Sequence, residues 1–177
     1  MRRIKRRVVG LTLIELLITL FIASLLASMT LPGLRDLLDR FKLQRACSEF
    51  RSALALTRSE AIRRGVRVDL VPAAAGDWRN GWLVLIDTNN NQRADVGEAV
   101  LHQGGVPPEG LHIVSSLRDP KLYLAFDPSG RPRSLASSAV PQIGSLLFIV
   151  GSQQRKIVVG FLGRVRSCDP ARDGAAC

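Results

Sequence analysis

Four small sets of residues carry chemical potential. Glu15 is the only charged side chain in the 21 residues from Leu11 to Leu31, LTLIELLITLFIASLLASMTL. A carboxylate inside a bilayer costs about 2.5–3.5 kcal/mol on insertion scales, and such residues usually mark function. Near the other end, Gly163-Arg164-Val165-Arg166 sets two arginines one residue apart. On a strand they share a face about 7 Å apart, and two guanidinium forks so placed can grip successive phosphates. Arg155, Lys156 and Arg172 can extend that patch. The plainer use of the same residues is a solvated basic edge that discourages strand-to-strand aggregation.

The third set is Asp87-Thr88-Asn89-Asn90-Asn91-Gln92-Arg93-Ala94-Asp95-Val96-Gly97-Glu98. Its oxygen side chains fall at the spacing of a helix-loop-helix calcium loop. However, Gln92 stands where that loop needs glycine, and a strand pattern precedes it, so a polar hairpin connection is the better reading. The fourth set is the cysteines. Cys168 and Cys177 flank the polar tail SCDPARDGAAC, and Cys47 lies alone in a helical pattern. In an oxidising compartment Cys168 and Cys177 can bridge, while Cys47 reads as a buried free thiol. The only histidines, His102 and His112, fall in separate strand-like segments. No nucleophile elbow, HExxH or CxxC pattern occurs, so neither an enzyme nor a cofactor or metal is expected.

The elements that position these residues follow from periodicity. A helix over Leu11–Leu31 spans about 30 Å, the thickness of a bilayer core. Arg2, Arg3, Lys5, Arg6 and Arg7 precede it. Basic flanks stay cytoplasmic, so the rest of the chain is expected on the outer side of an inner membrane. Those five residues also account for half of the net charge of +10; the remainder carries 20 Lys and Arg against 15 Asp and Glu, or +5. Much of the basicity is therefore a topology signal, which weakens any nucleic-acid argument made from pI alone.

Past Pro32, Leu34, Leu37, Leu38, Phe41, Phe50, Leu54 and Ala61 make an apolar stripe near helical spacing, ending at Arg63-Arg64-Gly65. Beyond Gly65 the period changes to two. Strands are expected over Val66–Leu70 and Gly81–Asp87, then near Ala99–Gln103, Leu111–Ser115, Leu122–Phe126, Ser145–Val150 and Lys156–Leu162. A long helix followed by hairpins argues an α+β fold, with an antiparallel sheet wrapped against the helix. The expected organisation is a basic leader (1–10), a transmembrane helix (11–31), an amphipathic helix (32–64) and a β-rich head (65–177).

The string Gly10-Leu11-Thr12-Leu13-Ile14-Glu15-Leu16 resembles the processing site of type IV pilins and of type II secretion pseudopilins. The family's usual first mature residue is phenylalanine, and here it is Leu11. Pro32 falls where pilins often carry a kinking proline. Thr57-Arg58-Ser59-Glu60-Ala61-Ile62-Arg63-Arg64-Gly65, Trp78-Arg79-Asn80-Gly81-Trp82, Phe126-Asp127-Pro128-Ser129-Gly130 and Gly163-Arg164-Val165-Arg166 resemble the GspH/FimT group of minor pseudopilins and pilins. The resemblance implies that a prepilin peptidase cuts after Gly10 and methylates Leu11. It implies that Glu15 pairs with a neighbouring subunit's new amine, and that other pilin or pseudopilin subunits are the partners. It also implies double-stranded DNA as a partner, with Arg164 and Arg166 as the contacts. A simple single-pass anchor with a periplasmic domain is the alternative.

Overall fold

Leucine, arginine and alanine dominate the sequence from residue 13 to 64, and all favour helix. The computed structural model, which describes residues 12–74, 76–119, 122–134, 140–174 and 177, has one helix there, α1 (Leu13–Arg64). Gly65 ends it with φ +68°, a left-handed conformation open to glycine, and its amide donates to the Ala61 carbonyl at 3.0 Å. Arg63 and Arg64 in the last turn both reach Glu60 and hold its carboxyl down to about 2. Gly10 and Leu11 lie outside the described residues. Among the described residues no helix is long and apolar enough to cross a membrane.

The chain divides into two units, Met1–Leu38 and Asp39–Cys177. In the first, the large apolar side chains Leu13, Ile14, Leu17, Phe21 and Leu26 are all more than half exposed. The hydroxyls of Thr19, Ser24 and Ser28 turn back onto the carbonyls of Leu16, Phe21 and Leu25. That back-bonding satisfies each polar group without water or a neighbour.

Among the described residues the second unit, the head, contains the rest of α1, nine strands and a short helix. β1 (Val68–Ala74), β2 (Asp77–Ile86), β3 (Ala99–Gln103), β5 (Leu124–Phe126) and β6 (Pro132–Arg133) form one antiparallel sheet in the order β3-β2-β1-β5-β6. β4 (Leu111–Leu117), β7 (Gly144–Val150), β8 (Gln153–Val159) and β9 (Val165–Cys168) form a second, in the order β4-β7-β8-β9. α2 (Pro170–Asp173) follows, capped by the Asp169 side chain.

The helix supplies Leu43, Ala46, Cys47, Phe50, Ala53, Leu54 and Ala61 to the core. Spacings of three and four put these on one face. At the centre, Phe50 meets three rings edge to face: Trp78 at 5.3 Å and Trp82 at 5.1 Å on β2, and Phe148 at 5.2 Å on β7. One helical side chain thus touches both sheets. Cys47, one turn earlier, is a buried free thiol, and burial pushes it up to about 12.

Four expectations change. Among the described residues there are two antiparallel sheets rather than one. The apolar stripe is not continuous: Leu34, Leu37, Leu38 and Phe41 are exposed, and burial begins at Leu43. β1 does not alternate, because its residues from Val68 to Pro72 are all buried. The strand expected at Lys156–Leu162 ends at Val159, since Gly160 to Gly163 make the turn into β9.

Replacing Phe50 with alanine removes all three ring contacts from a fully buried site. The expected cost is about 3–5 kcal/mol, read as a lower denaturation midpoint of the detergent-solubilised chain. A loss below about 1 kcal/mol would show that the centre of the head lies elsewhere.

Candidate functional site

The start of α1 is built by Thr12 and Glu15. One carboxylate oxygen of Glu15, Oε2, accepts from the Thr12 amide at 3.0 Å and from its hydroxyl at 2.9 Å. The Glu15 amide donates back to the Thr12 hydroxyl at 3.3 Å. This reciprocal pair is a capping box, which satisfies amides that the first helical turn leaves open. The sequence carried the signal in its T-x-x-E spacing, but the cost of an apolar setting drew attention to the carboxylate alone.

The loop from Asp87 to Glu98 joins β2 to β3, which pair as a hairpin. Its own donors occupy its acids. Asp87 accepts from the Asn91 and Gln92 amides, Asp95 from the Asn89 and Asn91 side chains, and Glu98 from Thr88. Gln92 takes φ +63°, the conformation for which a calcium loop uses glycine. Beside the loop, Asp69 is fully buried and bound by Arg67 at 2.6 Å. Burial pushes its carboxyl up to about 6 despite that partner. Among the described residues no group of three or more His, Cys, Asp or Glu is placed to hold a metal. His102 and His112 stand exposed on β3 and β4, in different sheets.

The other end of the chain is assembled around β9, an edge strand. Arg164 precedes it and Arg166 lies on it, opposite Val158 of β8. Both are exposed, and both line one depression of about 300 Å³ with Val158 and Gly160. Neither makes an ion pair or a side-chain hydrogen bond among the described residues. The remaining basic residues are less free. Arg155 and Arg172 lie 3.8 Å and 3.7 Å from the Asp169 carboxylate, and Lys156 is half-buried across from Cys168. Cys168 and Cys177 form a disulfide with their Cα atoms 5.6 Å apart, which ties the tail to the end of β9.

Sequence reasoning missed what holds this edge. Arg58, on α1, donates to the carbonyls of Gly163 at 3.1 Å and Leu162 at 3.4 Å. Gly163 has φ +76°, and a Cβ there would stand 2.5 Å from the Gly130 carbonyl oxygen. The glycine of the Gly-Arg-x-Arg string is therefore required by geometry. Residues 161 and 162, between the two glycines of the turn, are exposed phenylalanine and leucine.

A long N-terminal helix whose later turns are wrapped by antiparallel sheets defines a pilin-like fold. The crystal structure of the type IV minor pilin FimU from Pseudomonas aeruginosa superposes with a TM-score of 0.59 at 18% identity, covering 75% of this chain and 92% of that one. The minor pseudopilin EpsH of the type 2 secretion system of Vibrio cholerae gives 0.51 at 15% identity, covering 74% and 99%. The family described as type II transport protein GspH matches residues 46–163. A pilin-like protein from Thermus thermophilus, PilA1, is 34% identical over 164 residues, 89% of this chain and 96% of that protein. The chain belongs to the GspH family of type IV pilin-like and pseudopilin proteins.

Gly163→Ala is expected to cost about 1–3 kcal/mol for the left-handed backbone alone, with the Gly130 contact adding to it. Arg58→Ala, which removes only the clamp, is expected to cost less. Thermal unfolding of the two variants beside the parent tests that order. An unchanged midpoint in Gly163→Ala would overturn the geometric requirement.

Proposed function

We propose that this chain is a minor subunit of a pilin-type filament. It is made with a leader that a prepilin peptidase removes after Gly10, with methylation of Leu11. The apolar helix then anchors it in the bacterial inner membrane, head in the periplasm, until it joins other pilin or pseudopilin subunits. The observation that carries this reading is the row of exposed apolar side chains from Leu13 to Leu26. One subunit in water has nothing to bury them in; lipid or neighbouring helices do. Glu15 then serves assembly, pairing with the amine of an adjacent subunit where a lone charge of either sign is costly. Mass spectrometry of chain co-expressed with the peptidase should find a product starting at methylated Leu11. Glu15→Ala should still be cut but fail to enter filaments. A chain that keeps its first ten residues in the presence of active peptidase would leave only a simple anchored periplasmic domain.

Arg164 and Arg166 favour a second role on the same subunit, the capture of DNA. Two exposed guanidiniums on one depression, with no acid between Pro141 and Cys168, suit a phosphate backbone. Binding of this kind is sequence-independent and strongly salt-dependent. With duplex DNA, Arg164→Ala/Arg166→Ala is expected to flatten the slope of log affinity against log salt by about 1.8. Equal binding by the double variant in a mobility-shift titration would remove this role.

A further inference from the structure

The turn between β8 and β9 is built to present an aromatic ring. The Gly163 amide donates to the Gly160 carbonyl at 2.9 Å, and the Gly160 amide to the Arg164 carbonyl at 2.9 Å. Arg58 binds the carbonyls of Leu162 and Gly163 from below. The backbone of the turn is thus held at both ends, yet its two central side chains are exposed. Phe161 is 55% exposed and Leu162 61%. Folding a hairpin does not require an exposed phenylalanine, since turns favour small polar residues. Phe161 also adjoins Gly160, which forms one wall of the depression that Arg164 and Arg166 line.

We propose that this tip is a stacking site for single-stranded DNA. Phe161 takes the face of an unpaired base while Arg164 and Arg166 hold the phosphates on either side. An aromatic platform beside a cationic track is the arrangement that binds single strands without sequence preference, because every base has a π face. This inference rests on the DNA-capture reading and deepens it by naming the form of the strand. Charge selects nucleic acid over a protein neighbour: the tip and both arginines lie in a segment without acids.

The test titrates the full chain in detergent with fluorescent oligothymidylate and with a matched duplex, over a range of salt. Phe161→Ala is expected to weaken oligothymidylate binding about five- to tenfold at every salt concentration and to leave duplex binding unchanged. Phe161→Trp restores the affinity; Phe161→Leu, apolar but unable to stack as a flat ring, does not. Arg164→Ala/Arg166→Ala behaves differently, lowering the salt slope for the single strand by about 1.4. If the arginines matter and Phe161→Ala binds as the parent does, the stacking proposal fails and DNA capture stands. If the parent binds neither strand, both fail. If Phe161→Leu keeps full affinity, the ring is not stacking and the proposal is overturned. Intact oligothymidylate binding together with lost filament entry in Phe161→Ala would assign the tip to a neighbouring subunit instead.

Discussion

The head depends on one ring. Phe50 projects from α1 into a space bounded by Trp78 and Trp82 on one sheet and Phe148 on the other. Edge-to-face contacts at about 5 Å are favourable beyond the area they bury, because the positive edge of one ring meets the negative face of another. Three such contacts at one residue fix the rotation of the helix and the separation of both sheets together. The strands that follow then have little freedom. β1 is covered on both sides, so its polar member, Asp69, is buried with it and must bring Arg67 as a counter-charge. An ion pair in that position compensates a cost more than it adds stability.

The same fixed rotation reaches the C-terminal edge. Arg58 follows Phe50 by eight residues on α1, a little over two turns. It therefore emerges beside the seam where β9 ends the second sheet. From there its guanidinium holds the carbonyls of the β8–β9 turn, and Gly163 accepts the close approach of the Gly130 backbone. The basic edge is consequently not a loose tail. It is held by the helix at the turn and by the Cys168–Cys177 bridge past β9. Arg164 and Arg166 lie between these two restraints, with their guanidiniums open to solvent.

Local signals in the sequence were readable where one residue decides the outcome. Gly65 after two arginines gave the end of α1, and the β3 boundaries at Ala99 and Gln103 follow from the polar loop before and the glycines after. Features decided by distant partners were not readable. Leu34, Leu37, Leu38 and Phe41 have the spacing of a buried stripe yet are exposed, whereas the stripe from Leu43 onward packs into the core between two sheets. Nothing local marks Asp69 as buried, since that depends on β2 and β5 lying on either side of its strand. The division into two sheets likewise depends on pairings across the whole head. At the edge, Arg164 and Arg166 were legible as a pair, but the clamp from Arg58 was not, because it links residues 105 apart.

On the proposed filament role, Glu15 joins a structural and an assembly role in one side chain. Its Oε2 takes both hydrogen bonds from Thr12 and so closes the first turn of α1. Its other oxygen, Oε1, has no partner among the described residues. A carboxylate offers about four acceptor sites, so the capping box leaves capacity for a charged donor. In the proposed filament that remaining oxygen is the costly one in an apolar interior, and the amine of a staggered neighbour would offset the cost. The box also fixes the rotamer, so no further side-chain ordering is required when the amine arrives. On this account Thr12 matters to the filament as well as to the helix, because it holds Glu15 in the orientation that the second bond needs.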